Sequence, residues 1–305
     1  MRIEKFHDLP GRIHNAKLSA MVYKVNKGLV NLLYPRTVRC AYGVDEKSNV
    51  VISLTSFPGR IQTVWITVAT LLNLTVKPRA VILWLAEDQF PNGEAGLPEK
   101  LLQLKEKGLT IRFCDNLYPH KKYYYTMLEN PDAFVITADD DVFYPEYLVD
   151  ELVRTAQKNP GAVCCTWAHE ISLDDDGCVK PYNEWRQCIM DGTTPSVRIM
   201  PVGCGGVLYP PHCLDEAVFD KTAIQRLCLR TDDLWLKCMA VLKGTPAVQT
   251  ERKGKIFFTI VETQASGLHH ENVGEDRNNE AMGKILAAYP EVRKILSGNN
   301  NDILI

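Results

Sequence analysis

The chain has 305 residues, 46 % of them apolar, with 35 Lys and Arg against 37 Asp and Glu for a formal net charge of -2. That balance gives no general pull toward nucleic acid, and no run of about 18 apolar residues marks a membrane-spanning helix. The 10 cysteines include no CxxC pair, so a zinc-site spacing is excluded and free, mostly buried thiols in a reducing cytoplasm are expected.

Residues 1–48 read as a basic N-terminal arm without the apolar core and cleavage site of a signal peptide. Arg2, Lys5, Arg12, Lys17, Lys24, Lys27, Arg36 and Arg39 oppose only Glu4 and Asp8 before residue 40. Leu18, Met21, Val22, Val25, Leu29 and Leu33 recur at three- and four-residue steps, which predicts one apolar helix face with Lys17, Lys24 and Lys27 off it. Such a helix either lies on an anionic membrane surface through residues 14–34 or packs on the main domain.

The core begins at Asn49. Val50 to Leu54 predict a strand, ending in the small, polar turn Thr55-Ser56-Phe57-Pro58-Gly59-Arg60 and followed by a helix over 61–74. A nearly all-apolar strand over 80–85, a helix over 99–107 and a third strand over 109–113 come next. The stretch Tyr118-Pro119-His120-Lys121-Lys122-Tyr123-Tyr124-Tyr125 opens another helix. Phe134-Val135-Ile136-Thr137 predict a fourth strand, and strands alternating with helices at this spacing predict a mostly parallel sheet. Beyond it come a helix over 145–158, a strand over 161–167, the glycines of Gly203-Cys204-Gly205-Gly206, a helix from Thr231-Asp232-Asp233, the pair His269-His270, and a closing helix over 280–296. Ser172 to Gly177 fail the spacing of a calcium loop and read as an Asp-Gly turn. No linker or repeat splits the chain: 49–275 reads as one domain, with a half over 49–150 and a half over 151–275, and 276–305 as a C-terminal helix and tail.

The fourth strand runs directly into Asp139, Asp140 and Asp141. Three adjacent carboxylates repel one another unless a cation sits among them, and hard oxygen donors suit Mg²⁺ or Mn²⁺. The C-terminal end of a strand in an open α/β sheet is also where ligands bind. The bland alternative is a solvated turn before Tyr144-Pro145.

Taken together, Ile52 to Arg60, His120 to Tyr125, Thr137 to Pro145, Gly205 to Pro210 and Thr231 to Trp235 resemble a GT-A glycosyltransferase of the inverting family 2, closest to bacterial polysaccharide-type members. The matches span about two-thirds of the chain, the extent such a core needs. The resemblance implies a GT-A, Rossmann-like α/β fold with a mostly parallel central sheet flanked by helices. It also implies that Asp139 and Asp141 form the Asp-x-Asp pair, with Asp141 on the divalent cation and Asp139 or Asp140 toward the ribose or sugar. Thr55, Ser56 and Arg60 would sit by the nucleotide, Lys121 or Lys122 by phosphate oxygens, and Gly205 and Gly206 along donor sugar and acceptor. Asp233 matches the base, with Asp232 beside it, and His270 (or His269) is placed as a further metal ligand. Single sugar addition is expected, because the Gln-x-x-Arg-Trp motif of processive synthases is absent. The implied donor is a nucleotide-sugar, UDP-sugar first, and the implied acceptor a glycan or lipid-linked saccharide of the bacterial surface.

Two other readings use the same residues. A haloacid-dehalogenase-type phosphohydrolase also places Asp-x-Asp after a strand, but wants Thr or Val where this chain has Phe143, and usually opens its fold with the motif. A cation-dependent glycan-binding module would stack sugars on Tyr123 to Tyr125, Trp167 and Trp185.

Overall fold

The computed structural model describes residues 2–39, 43–252, 257–261, 263 and 276–298. Helices α1 (Glu4–Gly11) and α2 (Ala16–Thr37) precede the sheet. Then β1 (Val50–Thr55), α3 (Val64–Leu71), β2 (Ala80–Ala86), the short α4 (Glu99–Leu102), β3 (Leu109–Cys114), α5 (Lys121–Glu129) and β4 (Phe134–Thr137) alternate. After α6 (Leu148–Lys158) the strands shorten: β5 (Val163–Cys165), β6 (Ala168–Glu170), β7 (Arg186–Ile189), β8 (Ile199–Pro201) and β9 (Val207–Tyr209). The chain continues through α7 (Lys221–Leu227), α8 (Asp232–Leu242), β10 (Ala247–Gln249), α9 (Arg277–Ala288) and α10 (Pro290–Leu296).

Seven strands form the central sheet in the order β10-β5-β9-β4-β1-β2-β3. Six run parallel, and β9 runs against both of its neighbours, β4 and β5. The predicted α/β class with a mostly parallel, helix-flanked sheet is therefore what the chain forms. The apolar strands β1 and β2 are buried almost throughout, as a sheet covered on both faces requires. From β1 the chain adds β2 and β3 on one side, then crosses back to lay β4 on the other. The strand order thus reverses between β1 and β4. A second sheet, β7-β6-β8, is small and antiparallel.

One apolar core gathers β1, β2, β4, α3 and α6 under the N-terminal helices, and another gathers β5, β9, α7, α8 and the C-terminal helices. The closing helix expected over 280–296 is two helices, because Tyr289 stands before Pro290 and leaves helical geometry (φ -130°, ψ 74°). The Asp-Gly turn is present: Asp174 Oδ1 accepts the N–H groups of Asp176 and Cys178, and Gly177 has φ +75°.

The N-terminal helices do pack on the main domain, but not by the expected face. The Glu146 carboxylate accepts the N–H of Ile3 (2.8 Å) and of Glu4 (3.0 Å) and so caps α1. His7 stacks on Phe258 at 4.0 Å, and Tyr34 meets Phe143 edge-on. The side of α2 turned inward holds Ser19, Asn26, Val30 and Tyr34, while Leu18, Met21, Val25, Leu29 and Leu33 of the predicted apolar face are exposed and Val22 is half-buried. The inward side is held by polar contacts to α1, where Asn26 Nδ2 donates to Phe6 O at 2.8 Å and Ser19 Oγ to Pro10 O at 2.8 Å, and by Tyr34 against Phe143. No described helix is long and apolar enough to cross a membrane.

Candidate active site

The strand-order reversal sets a crevice at the C-terminal ends of β1 and β4, the place where open α/β sheets bind ligands. β1 delivers Thr55 and Ser56 there, and β4, paired in register Ser53 to Thr137, delivers the acidic triplet. The three carboxylates have different surroundings. Asp140 turns inward, accepting Ser56 Oγ at 2.6 Å and Arg60 Nη1 at 2.6 Å, while Thr67 Oγ1 holds its backbone carbonyl. Asp141 stays nearer the surface, with Arg60 Nη2 at 3.2 Å and its carbonyl accepting the Ile260 N–H at 2.8 Å. Burial, opposed by Arg60 and reinforced by Asp140 and Asp139, pushes the Asp141 carboxyl up to about 6. Asp139 is the most open of the three, and its N–H donates to the buried Tyr144 hydroxyl at 2.8 Å.

Lys122 joins this cluster to the second acidic pair. It projects from the first turn of α5, fully enclosed, with Nζ 2.8 Å from Asp139 Oδ1 and 2.9 Å from Asp232 Oδ2. The second contact lies off the line of a good hydrogen bond and is an ion pair rather than a directed bond. Burial alone would lower this lysine, but Asp139, Asp232 and Asp233 outweigh it and keep the ammonium charged. Asp232 and Asp233 form the first turn of α8; Thr231 occupies the N-cap position without a side-chain cap bond. Burial and the adjacent Asp232 charge push the Asp233 carboxyl up to about 7, against the pull of Lys122 and of the Gly203 N–H, which donates to Oδ2 at 2.9 Å. A carboxylate so placed can accept a proton near neutral pH.

The glycine turn is shaped around this carboxylate. A Cβ on Gly203 would stand 2.6 Å from Asp233 Oδ1, so a side chain there would displace the loop or the carboxylate. At Gly205 a Cβ would meet Thr166 Oγ1 at 2.6 Å, and Gly206 enters β9 with φ +84°. Because β9 is antiparallel, its beginning lies at the edge where its neighbours end, which brings the turn to the crevice. The Cys204 thiol is pushed up by burial and by Asp139, Asp233 and Asp141 nearby, so it stays a protonated, non-nucleophilic wall of the site.

Of the expected residues, Ser56, Arg60, Asp139, Asp140, Asp141, Asp232, Asp233 and the glycine turn converge. Thr55 lies at the edge, its hydroxyl donating to Trp84 O at 2.8 Å. Lys121 points elsewhere: its Nζ donates to Tyr118 O at 2.9 Å and Asn116 Oδ1 at 3.2 Å. His269 and His270 lie outside the described residues. Tyr144 and Gly203 are part of the site without having been singled out; the Gly-Cys-Gly-Gly run was the only signal for the second, and a buried tyrosine gives none. Of the aromatics offered for sugar stacking, Tyr123, Tyr124 and Trp185 are buried, while Tyr125 and Trp167 are partly open.

With both oxygens of Asp140 held by Ser56 and Arg60, the carboxylates left for a divalent cation are those of Asp139 and Asp141, each of which has one oxygen on a cationic side chain, Lys122 and Arg60 respectively. Among the described residues no three His, Cys, Asp or Glu side chains form a cage for a metal. Two carboxylates fit the way Mg²⁺ and Mn²⁺ are commonly held, with substrate phosphate and water completing the shell.

No protein-family model and no curated protein matches the chain. Among solved structures, a mannosyltransferase from Pyrobaculum calidifontis in complex with GDP-Man and Mn²⁺ is similar to it, at 10 % identity and a TM-score of 0.48, over 92 % of this chain and 80 % of that one. A likeness of that degree says nothing about the reaction.

Proposed function

We propose that this chain is a metal-dependent, inverting glycosyltransferase that moves one sugar from a nucleotide-sugar to a glycan or lipid-linked acceptor. The observation that supports it most is the pairing of two acidic sites across one buried ammonium. Asp139 to Asp141 stand at the sheet's reversal point, Asp232 and Asp233 stand opposite, and Lys122 spans them. Asp139 and Asp141 would hold the cation, which when bound would offset the diphosphate charge and make it a better leaving group. Asp140, Ser56 and Arg60 fix the triplet's backbone, so that the two flanking carboxylates face the crevice. Asp233, oriented by the Gly203 N–H, takes the proton of the acceptor hydroxyl, and attack from that side displaces the nucleotide with inversion. Asp232 keeps Lys122 charged and keeps its neighbour's proton affinity high.

UDP-sugars are the first donors to try. Synthesis of bacterial surface polysaccharide from the cytoplasmic side is the setting the sequence resemblance suggests. The test is calorimetric titration of UDP, then GDP and dTDP, with Mn²⁺ and with chelator. Metal-dependent binding of one nucleotide, lost in Asp141→Ala, is the expected result. If none of the three binds with Mn²⁺ present, the transferase reading falls.

A further inference from the structure

The outward face of α2 is apolar, and no described residue covers it. Leu18, Met21, Val25, Leu29, Leu32 and Leu33 recur at three- and four-residue steps and form one stripe, exposed from 37 % at Leu33 to 64 % at Met21. The inward face, about a third of a turn away at ~100° per residue, is the one that anchors the helix. So α2 is held in place without using its most apolar side. A contiguous uncovered patch of this kind marks an interaction surface.

Charge identifies the partner. Residues 1–39 contain 8 of the chain's 35 Lys and Arg but only 2 of its 37 Asp and Glu, so a basic segment sits on an acidic body. Lys17 and Lys24 are exposed beside the stripe, Arg12 just before the helix and Arg36 at its end. A second copy of this chain is a poor occupant, because a two-fold contact through α2 would set the same lysines against each other. An anionic bilayer takes both features at once: acyl chains for the stripe, lipid phosphates for the cations.

We propose that α2 docks the protein on an anionic membrane surface, lying in the headgroup plane with its leucine stripe down. The opposite side of the same helix reaches the candidate site. Lys27 Nζ donates to Thr259 Oγ1 at 2.7 Å, Asn31 Nδ2 to Thr259 O at 3.1 Å, and Asn31 Oδ1 accepts the Val261 N–H at 2.9 Å. Ile260, between them, donates its N–H to Asp141 O. Docking therefore puts the acidic crevice on the far side of α2 from the lipid, more than one helix diameter, roughly 10 Å, away. This holds whatever reaction the crevice performs.

The full chain is to be floated with vesicles of phosphatidylcholine alone and with 30 mol% phosphatidylglycerol as ~30 % anionic lipid, at low and high salt. Binding to the anionic vesicles that weakens with salt is expected. Met21→Asp/Val25→Asp should reduce it tenfold or more, and Lys17→Glu/Lys24→Glu roughly tenfold, each with an unchanged melting temperature because all four side chains are exposed. Failure to float with either vesicle overturns the proposal, as does binding that both double variants leave intact. A concentration-dependent dimer that Met21→Asp/Val25→Asp dissociates, with no vesicle binding, would assign the stripe to a second copy instead.

Discussion

Lys122 Nζ has Asp139 on one side and Asp232 on the other, with Asp233 next along the helix. Removing a partner from such a buried cluster leaves uncompensated charge, which costs roughly 3–5 kcal/mol. Lys122→Met should therefore lower the unfolding free energy by about that much in urea denaturation. Asp233 carries a different prediction. In the proposed role of base its carboxyl, pushed up to about 7, must first lose its proton, so kcat/KM for the proposed transfer should rise with pH between 6 and 8. Asp233→Asn should cut transfer by roughly 10²–10⁴-fold while nucleotide binding, measured by calorimetry, is retained. Loss of nucleotide binding in that variant would remove Asp233 from the role of base.

Elements differ in how much of them the sequence disclosed. The first four strands and the acidic triplet were readable, because strands covered on both faces are continuous apolar runs and the triplet interrupts one abruptly. The insertion of β9 between β4 and β5 was not, since a three-residue strand arriving some seventy residues later leaves no periodic trace. The apolar stripe of α2 was read correctly as a stripe. Its direction is not legible, because periodicity shows which side is apolar and not what that side meets; here Asn26 and Ser19 turn toward α1 and Tyr34 toward Phe143. Lys121 and Lys122 were equivalent on paper, and only the start of α5 separates the one bound to Tyr118 from the one between the carboxylates. The glycine turn yields a prediction of its own. Gly203→Ala should force the loop off Asp233 and reduce kcat by about 10²-fold, as a displacement near 1 Å does, with the melting temperature held within a few degrees; kinetics beside a thermal melt would check both.

Across the whole molecule, buried histidines tie stability to pH. His7, enclosed with Nε2 facing Phe143 O, and His120, between the Tyr123 hydroxyl and Cys228 O, are both lowered by burial to about 4. In the unfolded chain they titrate near 6.5, so between those values the unfolded state binds more protons. Their contribution is fully present above about 6.5 and is lost as pH falls toward 4, by up to roughly 3 kcal/mol for each. Asp141 and Asp233, pushed up to about 6 and about 7, titrate in the opposite sense, so the difference between variants carries the test: the fall in melting temperature between pH 6.5 and 4 should be smaller in His120→Gln than in the unaltered chain.

The reversed strand has a consequence for how this architecture diversifies. Residues 166–206 leave the sheet at the end of β5 and come back at the start of the adjacent β9. They form a single excursion that begins and ends on the crevice and touches the sheet elsewhere at its outer edge, where Ser196 bridges Ala247. The stretch of it between β6 and β8 can be lengthened, trimmed or exchanged without disturbing the register of β1 and β4, which carry the triplet and its clamp, or the Gly203 turn that meets Asp233. Specificity on one side of the crevice can then drift while the other side keeps its chemistry.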